Sequence, residues 1–176
     1  MPFEYNVSGL LKEPVGATRS YAIDAPIRLA DTGADRVRIK GDASFLRTPR
    51  GVLVAAKLQG TLSDTCSRCL RDVSQPVRFK IEEEFLQTID METGARIKDA
   101  DPDDFRIDAQ HILDIEDALR QYWSAALPMQ VLCRPECKGL CPRCGADFNE
   151  AAHECAPEAD ERWAALGALA GKLEGS

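Results

Sequence analysis

Seven cysteines in 176 residues, five of them between positions 133 and 155, constrain this chain more than any other feature. The dense segment reads Cys133-Arg-Pro-Glu-Cys137-Lys-Gly-Leu-Cys141-Pro-Arg-Cys144-Gly145, with Cys155 downstream. A second pair, Cys66-Ser-Arg-Cys69, stands far upstream. A two-residue spacer turns two thiolates toward one ion, and Gly145 can take the backbone conformation such a knuckle needs. Gly139 relieves the approach to the same turn. The odd count argues against a fully paired disulfide framework. The N-terminus, MPFEYNVSGLLKEP, lacks the basic and apolar blocks of a signal peptide. A cytoplasmic, reducing setting is therefore expected, where metal-bound thiolates persist and disulfides do not.

Tetrahedral sulfur coordination suits zinc or iron. Structural zinc is the expected cofactor, because four thiolates close the shell and leave no position for substrate. The candidate ligands are Cys66, Cys69, Cys133, Cys137, Cys141, Cys144, His153 and Cys155. In one grouping, Cys66, Cys69, Cys141 and Cys144 staple distant parts of the chain, and Cys133, Cys137, His153 and Cys155 form a second site. In the other, a single site uses Cys133 or Cys137 with Cys141, Cys144 and Cys155. His111 opens a helical pattern and reads as surface or packing. Thiol exchange would need a strand-to-helix setting that neither Cys-x2-Cys pair has. Hydrolytic zinc would need an open position and a nearby base. Asp147 and Glu150 are near in sequence, but read better as surface or capping acids.

A hydrophobic fraction of 44% with 29% charged residues is ordinary globular material. No apolar run approaches the roughly 18 residues of a membrane span. Charge is unevenly placed: residues 1–98 carry 15 basic and 13 acidic side chains, residues 99–176 carry 7 and 16. The acidic half repels phosphate at long range and suits a basic protein, whereas a cationic surface on the first half suits RNA.

Residues 1–90 read as a small antiparallel β domain. Val37, Ile39, Ala43 and Phe45 alternate with Arg38, Lys40, Asp42 and Ser44; beyond the turn Thr48-Pro49-Arg50-Gly51, Val52, Val54, Ala56, Leu58 and Leu62 alternate again. Gly60 suggests a bulge or bend. Val77, Phe79, Ile81 and Phe85 give a third strand, and residues 3–10 and 19–27 supply two more. Residues 91–104 form an acidic connection. Residues 105–176 then hold a short strand at Phe105 and Ile107, a helix carrying Ile112, Ile115, Leu119, Tyr122 and Trp123 and stopped by Pro128, the cysteine module, and a C-terminal helix over 157–173. The class is α+β.

No GxxxxGK[ST], GxGxxG or HExxH occurs, so a catalytic site is not expected. The string Cys133-x3-Cys137-Lys-Gly-Leu-Cys141-Pro-x-Cys144-Gly-Ala-Asp-Phe-Asn149 closely resembles the C-terminal motif of the YceD family, the large ribosomal RNA subunit accumulation proteins. Cys66-x2-Cys69-Leu70, Phe105-x-Ile107-Asp108 and Asp160-x-Arg162 with Leu166 and Leu169 extend the resemblance over roughly residues 60–170. Members of this cysteine-rich branch commonly carry Cys-x-Cys near the end, where this chain reads His153-Glu154-Cys155; histidine is also a zinc ligand. The resemblance implies a role in accumulation of large-subunit ribosomal RNA, through ribosome assembly or precursor processing, with ribosomal RNA or a ribosomal protein as partner. Arg36, Arg38, Lys40, Lys57, Arg68, Arg71, Arg134, Lys138 and Arg143, on polar strand faces and knuckle turns, are the expected phosphate contacts. A zinc-stabilised protein adaptor that does not touch RNA is the competing expectation, with an RNA-processing enzyme behind both.

Overall fold

A computed structural model of the chain describes residues 2–28, 36–91, 93–97, 104–151 and 154–155. The expected helix over 157–173 and His153 lie outside the described residues. The described elements are β1 (Glu4–Asn6), α1 (Ser8–Leu11), β2 (Thr18–Ile27), β3 (Val37–Arg47), β4 (Gly51–Thr65), β5 (Asp72–Gln87), β6 (Arg106–Ile107), β7 (Ile112–Asp114) and α2 (Glu116–Ala126). They build an α+β fold around one seven-stranded sheet in the order β1-β7-β6-β5-β4-β3-β2. Every pairing is antiparallel except the two-residue contact of β5 with β6.

The alternating pattern dictates the two faces. Val37, Ile39, Ala43 and Phe45 of β3, Val52 to Leu62 at every second position of β4, and Val77, Phe79, Ile81 and Phe85 of β5 are buried. The residues between them point away from this core. The sheet curls until its two edge strands meet. Tyr5 of β1 packs on Tyr21 of β2 at 4.8 Å between ring centroids and edge-on to Phe45 of β3 at 5.0 Å. The apolar face is thus the concave one, and α2 packs on it through Ala118, Leu119 and Trp123.

Gly60 makes no bulge. It sits in unbroken register, opposite Val77 between the pairs Gln59–Arg78 and Thr61–Pro76. Its role is proximity: a Cβ there would stand 2.6 Å from Cζ3 of Trp123 and 2.9 Å from Cδ1 of Ile39. The glycine admits the indole to the floor of the sheet.

Two expected elements divide differently. Residues 3–10 give only a three-residue strand before a helical turn. The Asn6 carboxamide accepts from Ser8 N at 3.0 Å and Ser8 Oγ at 2.6 Å, and Phe3, Val7, Leu10 and Leu11 are buried together. The helix expected to carry Ile112 and Ile115 starts only at Glu116. Ile112–Asp114 is a strand instead, because Asp108 Oδ1 accepts from Gln110 N and Ile112 N and reverses the chain against β6. Asp114 Oδ1 then accepts from Glu116 N, and Glu116 and Asp117 place negative charge on the helix's positive end. Leu127 leaves the helix extended ahead of Pro128, as expected of a pre-proline residue. Among the described residues, no helix is long and apolar enough to cross a membrane.

Candidate metal centre

The longest hairpin, β4–β5, keeps register from Gly51–Leu86 to Thr65–Asp72, and its tip is the first Cys-x2-Cys pair. Cys66 N donates to Arg71 O at 2.8 Å and Leu70 N donates to Cys66 O at 2.9 Å, closing the knuckle over both thiols. The second knuckle repeats the bond: Gly145 N donates to Cys141 O at 2.9 Å. Both residues after the second cysteine take positive φ, +75° at Gly145 and +56° at Leu70. Glycine adopts this freely, whereas an L side chain does so at a cost. The same turn is thus built twice, once with a strained residue.

The segment after Pro128 folds over the hairpin tip. Ser67 N donates to Val131 O at 2.8 Å, and Leu140 N to Arg68 O at 3.1 Å. Gly139 has φ +80°, and a Cβ there would lie 3.0 Å from Arg68 O. The glycine therefore relieves the approach to the first knuckle, in addition to its place before the second. These bonds carry Cys133 and Cys137 onto Cys66 and Cys69.

Two thiol clusters result. Cys66, Cys69, Cys133 and Cys137 have all their sulfurs within 4.8 Å of one another, and so do Cys141, Cys144 and Cys155. The upstream pair joins Cys133 and Cys137, which corrects the grouping of that pair with Cys141 and Cys144; Cys141, Cys144 and Cys155 cluster as the single-site grouping had them, but without Cys133 or Cys137. The physical reason is that the second knuckle bonds to the residues that immediately follow it. Cys141 N donates to Ala146 O, Phe148 N to Gly139 O, and Leu140 bridges Asp147, and Cys141 and Cys144 cluster with Cys155.

In the first cluster Cys66 Sγ lies 3.8 Å from Cys137 Sγ, and Cys69 Sγ lies 3.6 Å from Cys133 Sγ. Four sulfurs each about 2.3 Å from one zinc stand about 3.8 Å apart at the corners of a tetrahedron. All seven cysteines are free thiols. The donor set and these two sulfur–sulfur distances therefore fit a tetrahedral metal. Asn149 supports it from outside: its Nδ2 donates to Cys137 Sγ at 3.5 Å and to Asp147 Oδ1 at 2.6 Å, while its Oδ1 accepts from Lys138 N and Arg134 Nη2.

The clusters are electrostatically divided. The Cys69 N–H hydrogen bond brings the Cys66 thiol down to about 6, and the Cys144 and Arg143 N–H groups bring Cys141 down to about 6. Desolvation and neighbouring thiols push Cys133 up to about 12. Hydrogen bonding with Cys141 and Cys144 pushes Cys155 up to about 11. In each cluster some thiols are poised as thiolates while a neighbour keeps its proton. A divalent cation removes the repulsion that enforces this split.

The basic residues expected to contact phosphate fall into two groups. Arg68, Arg71 and Arg134 are engaged inside the cysteine module. Arg68 Nη1 donates to Cys137 O at 2.8 Å, Arg71 Nη2 pairs with Asp147 at 2.7 Å and Glu150 at 2.5 Å, and Arg134 meets Asn149 at 2.8 Å. The Asn149 N–H, with help from Arg71, holds the Asp147 carboxyl below its ordinary range. Asp147 and Glu150 thus clasp the module to the hairpin. Lys138 and Arg143 are exposed on the module. Arg38, Lys40 and Lys57 lie together on the convex face of the sheet, with Arg36 exposed just before β3. Arg78 and Lys80 of β5 join them there, Lys80 directly opposite Lys57. The sequence signal for these two was available, since they alternate with Val77, Phe79 and Ile81. Asn149 stands in the sequence only as the last residue of the cysteine motif, with nothing in its type or spacing to mark its contact with Cys137.

Comparison with known proteins gives a consistent placement. The family described as large ribosomal RNA subunit accumulation protein YceD matches residues 54–170. Curated relatives include an uncharacterized protein of Mycobacterium bovis and uncharacterized proteins of two strains of Mycobacterium tuberculosis, each 28% identical over 116 residues. The alignments cover 66% of this chain and 54% of each relative, so the chain spans about half the length of the curated relatives it matches. No solved structure matches the chain.

Proposed function

The chain belongs to the YceD family, and from that membership and the thiol geometry we propose that it is a non-catalytic cytoplasmic factor for accumulation of large-subunit ribosomal RNA, held in shape by structural zinc. The observation that carries the reading is the four-thiol cluster of Cys66, Cys69, Cys133 and Cys137. It joins the tip of the longest hairpin to the segment after α2, and four thiolates close a zinc shell, which favours architecture over reaction. Cys141, Cys144 and Cys155 form a second zinc site, for which His153 is the fourth donor offered by the sequence. The partner is ribosomal RNA or a protein of the large subunit.

Depletion of the protein in its own cell tests this reading. Large-subunit ribosomal RNA is expected to fall relative to small-subunit RNA, with the protein sedimenting on large-subunit precursors. A variant with Cys66→Ser and Cys69→Ser is expected not to restore the ratio. An unchanged ratio, with no protein on precursor particles, refutes the function. Cleavage of precursor RNA by the purified protein refutes its non-catalytic character. Retention on particles after ribonuclease treatment points to the adaptor role.

A further inference from the structure

The cysteine module absorbs three of the arginines that could meet phosphate and exposes Lys138 and Arg143, while the larger group of cations lies on the convex face of the sheet. There the register sets Lys40 opposite Gln59 and Gln59 opposite Arg78, and in the next row Asp42 opposite Lys57 and Lys57 opposite Lys80. Adjacent strands stand about 4.8 Å apart, and alternate residues on one strand about 6.7 Å. Lys40, Lys57, Arg78 and Lys80 therefore ring Gln59 within one or two strand spacings, around a shallow depression of about 350 Å³.

The charges on this face do not cancel. Arg38 is paired with Asp24 at 2.5 Å, and Asp24 also stands opposite Lys40. Asp42 lies beside Lys57, and Glu82 borders the patch beyond Lys80. Lys57, Arg78 and Lys80 make no ion pair among the described residues. Like charges directly opposite on neighbouring strands, as at Lys57 and Lys80, oppose strand pairing. A bound polyanion turns that cost into attraction. The chain as a whole carries a formal charge of −7, so long-range attraction cannot hold a nucleic acid indiscriminately, and the patch sets where one docks.

We propose that this face binds the sugar-phosphate backbone of double-stranded RNA, an inference that rests on the ribosomal-RNA reading above. The choice of duplex follows from what surrounds the cations. The outward positions of β3, β4 and β5 around them are Asp42, Ser44, Ala55, Gln59, Thr61 and Glu82, with no aromatic side chain among them. Single strands are held by stacking bases on aromatic rings, and this surface offers none. Duplex RNA is read by shape through phosphate and 2′-hydroxyl contacts. Four long basic side chains around a glutamine amide supply both kinds of contact, and the cations supply no base specificity.

The test uses the full zinc-loaded chain, a short mixed-sequence RNA duplex, its separated strand, and polyglutamate of equal charge. Binding to the duplex is expected to weaken with salt at a slope of about −0.9 per phosphate contacted, so roughly −3 to −4 for four cations. Lys57→Gln with Lys80→Gln is expected to lower affinity by at least about tenfold and flatten the slope by about 2. Zinc content and thermal stability are expected to be retained, since the change removes a like-charge pair. Lys12→Glu, an exposed site away from the patch, controls for net charge. Equal binding by the double variant and the wild type overturns the inference, as does tighter binding to the single strand or to polyglutamate. Sedimentation of the same variants with large-subunit precursors separates the two levels. If duplex binding ignores the patch while wild-type protein still rides the precursors, the patch assignment falls alone. If wild-type protein neither binds RNA nor sediments with precursors, the ribosomal reading falls with it.

Discussion

Replacing Gly60 with alanine isolates the contact that seats α2 on the sheet. The new methyl would meet Trp123 Cζ3 at 2.6 Å, Ile39 Cδ1 at 2.9 Å and Trp123 Cη2 at 3.0 Å. All are atoms of buried side chains, Trp123 being 1% exposed and Ile39 fully buried, so neither can swing into solvent. Overpacking of this kind costs about 1–3 kcal/mol. Reduced freedom of the unfolded chain returns about 0.4–1 kcal/mol. A net loss of about 1–2 kcal/mol is expected, equivalent to roughly 2–8 °C in Tm for a chain of this size. Trp123→Phe removes the ring atoms that clash. It loses no hydrogen bond to the described residues, among which Trp123 Nε1 has no partner, although it gives up buried area and the edge contact with Phe79 at 5.8 Å. Adding Gly60→Ala to Trp123→Phe should therefore cost far less than adding it to the wild type. Chemical denaturation of the four proteins measures the coupling. Strict additivity would refute the claim that the glycine exists to admit the indole.

Other consequences concern the knuckles and their metal. Leu70 holds φ +56° while 66% exposed, so Leu70→Gly is expected to be neutral or stabilising by up to about 1 kcal/mol in thermal melts, and Leu70→Val destabilising. Clear destabilisation by glycine would contradict the strain. Zinc uptake by the metal-free chain must displace the proton of Cys133, pushed up to about 12, and that of Cys69, which burial and Cys66 raise against the Arg71 N–H hydrogen bond. The sign follows: protons compete with the metal, so affinity falls as pH is lowered, and it falls further as Cys66 protonates near pH 6. Calorimetry in buffers of differing ionisation enthalpy is expected to show proton release near neutral pH. An uptake heat independent of buffer would argue against this ionisation pattern.

Much of the sheet was legible because a strand buried on one face writes its burial into alternate residues, as in Val37–Phe45 and Val52–Leu62. The cysteines that cluster were legible as types and spacings. Their grouping was not, because it depends on Ser67 meeting Val131 and Leu140 meeting Arg68 across distant sequence. The misreading of Ile112 and Ile115 has a local cause: a three-residue strand carries too few residues to show a period, and Asp108 reverses the chain through its side chain. Gly60 looked like an interruption because its reason, Trp123, lies on another element. Arg71 illustrates a general limit. An arginine beside a metal knuckle reads as a phosphate contact until the fold supplies Asp147 and Glu150.

The claim that metal holds the hairpin tip to the following segment is tested most directly by native mass spectrometry of the full chain in which Cys141 and Cys144 are replaced by serine. That substitution leaves Cys66, Cys69, Cys133 and Cys137 as the intact cluster. The expected result is one tightly retained zinc per chain, lost when Cys133→Ser and Cys137→Ser are added. A chain that carries no metal, yet keeps residues 131–149 protected from hydrogen exchange, would contradict the account.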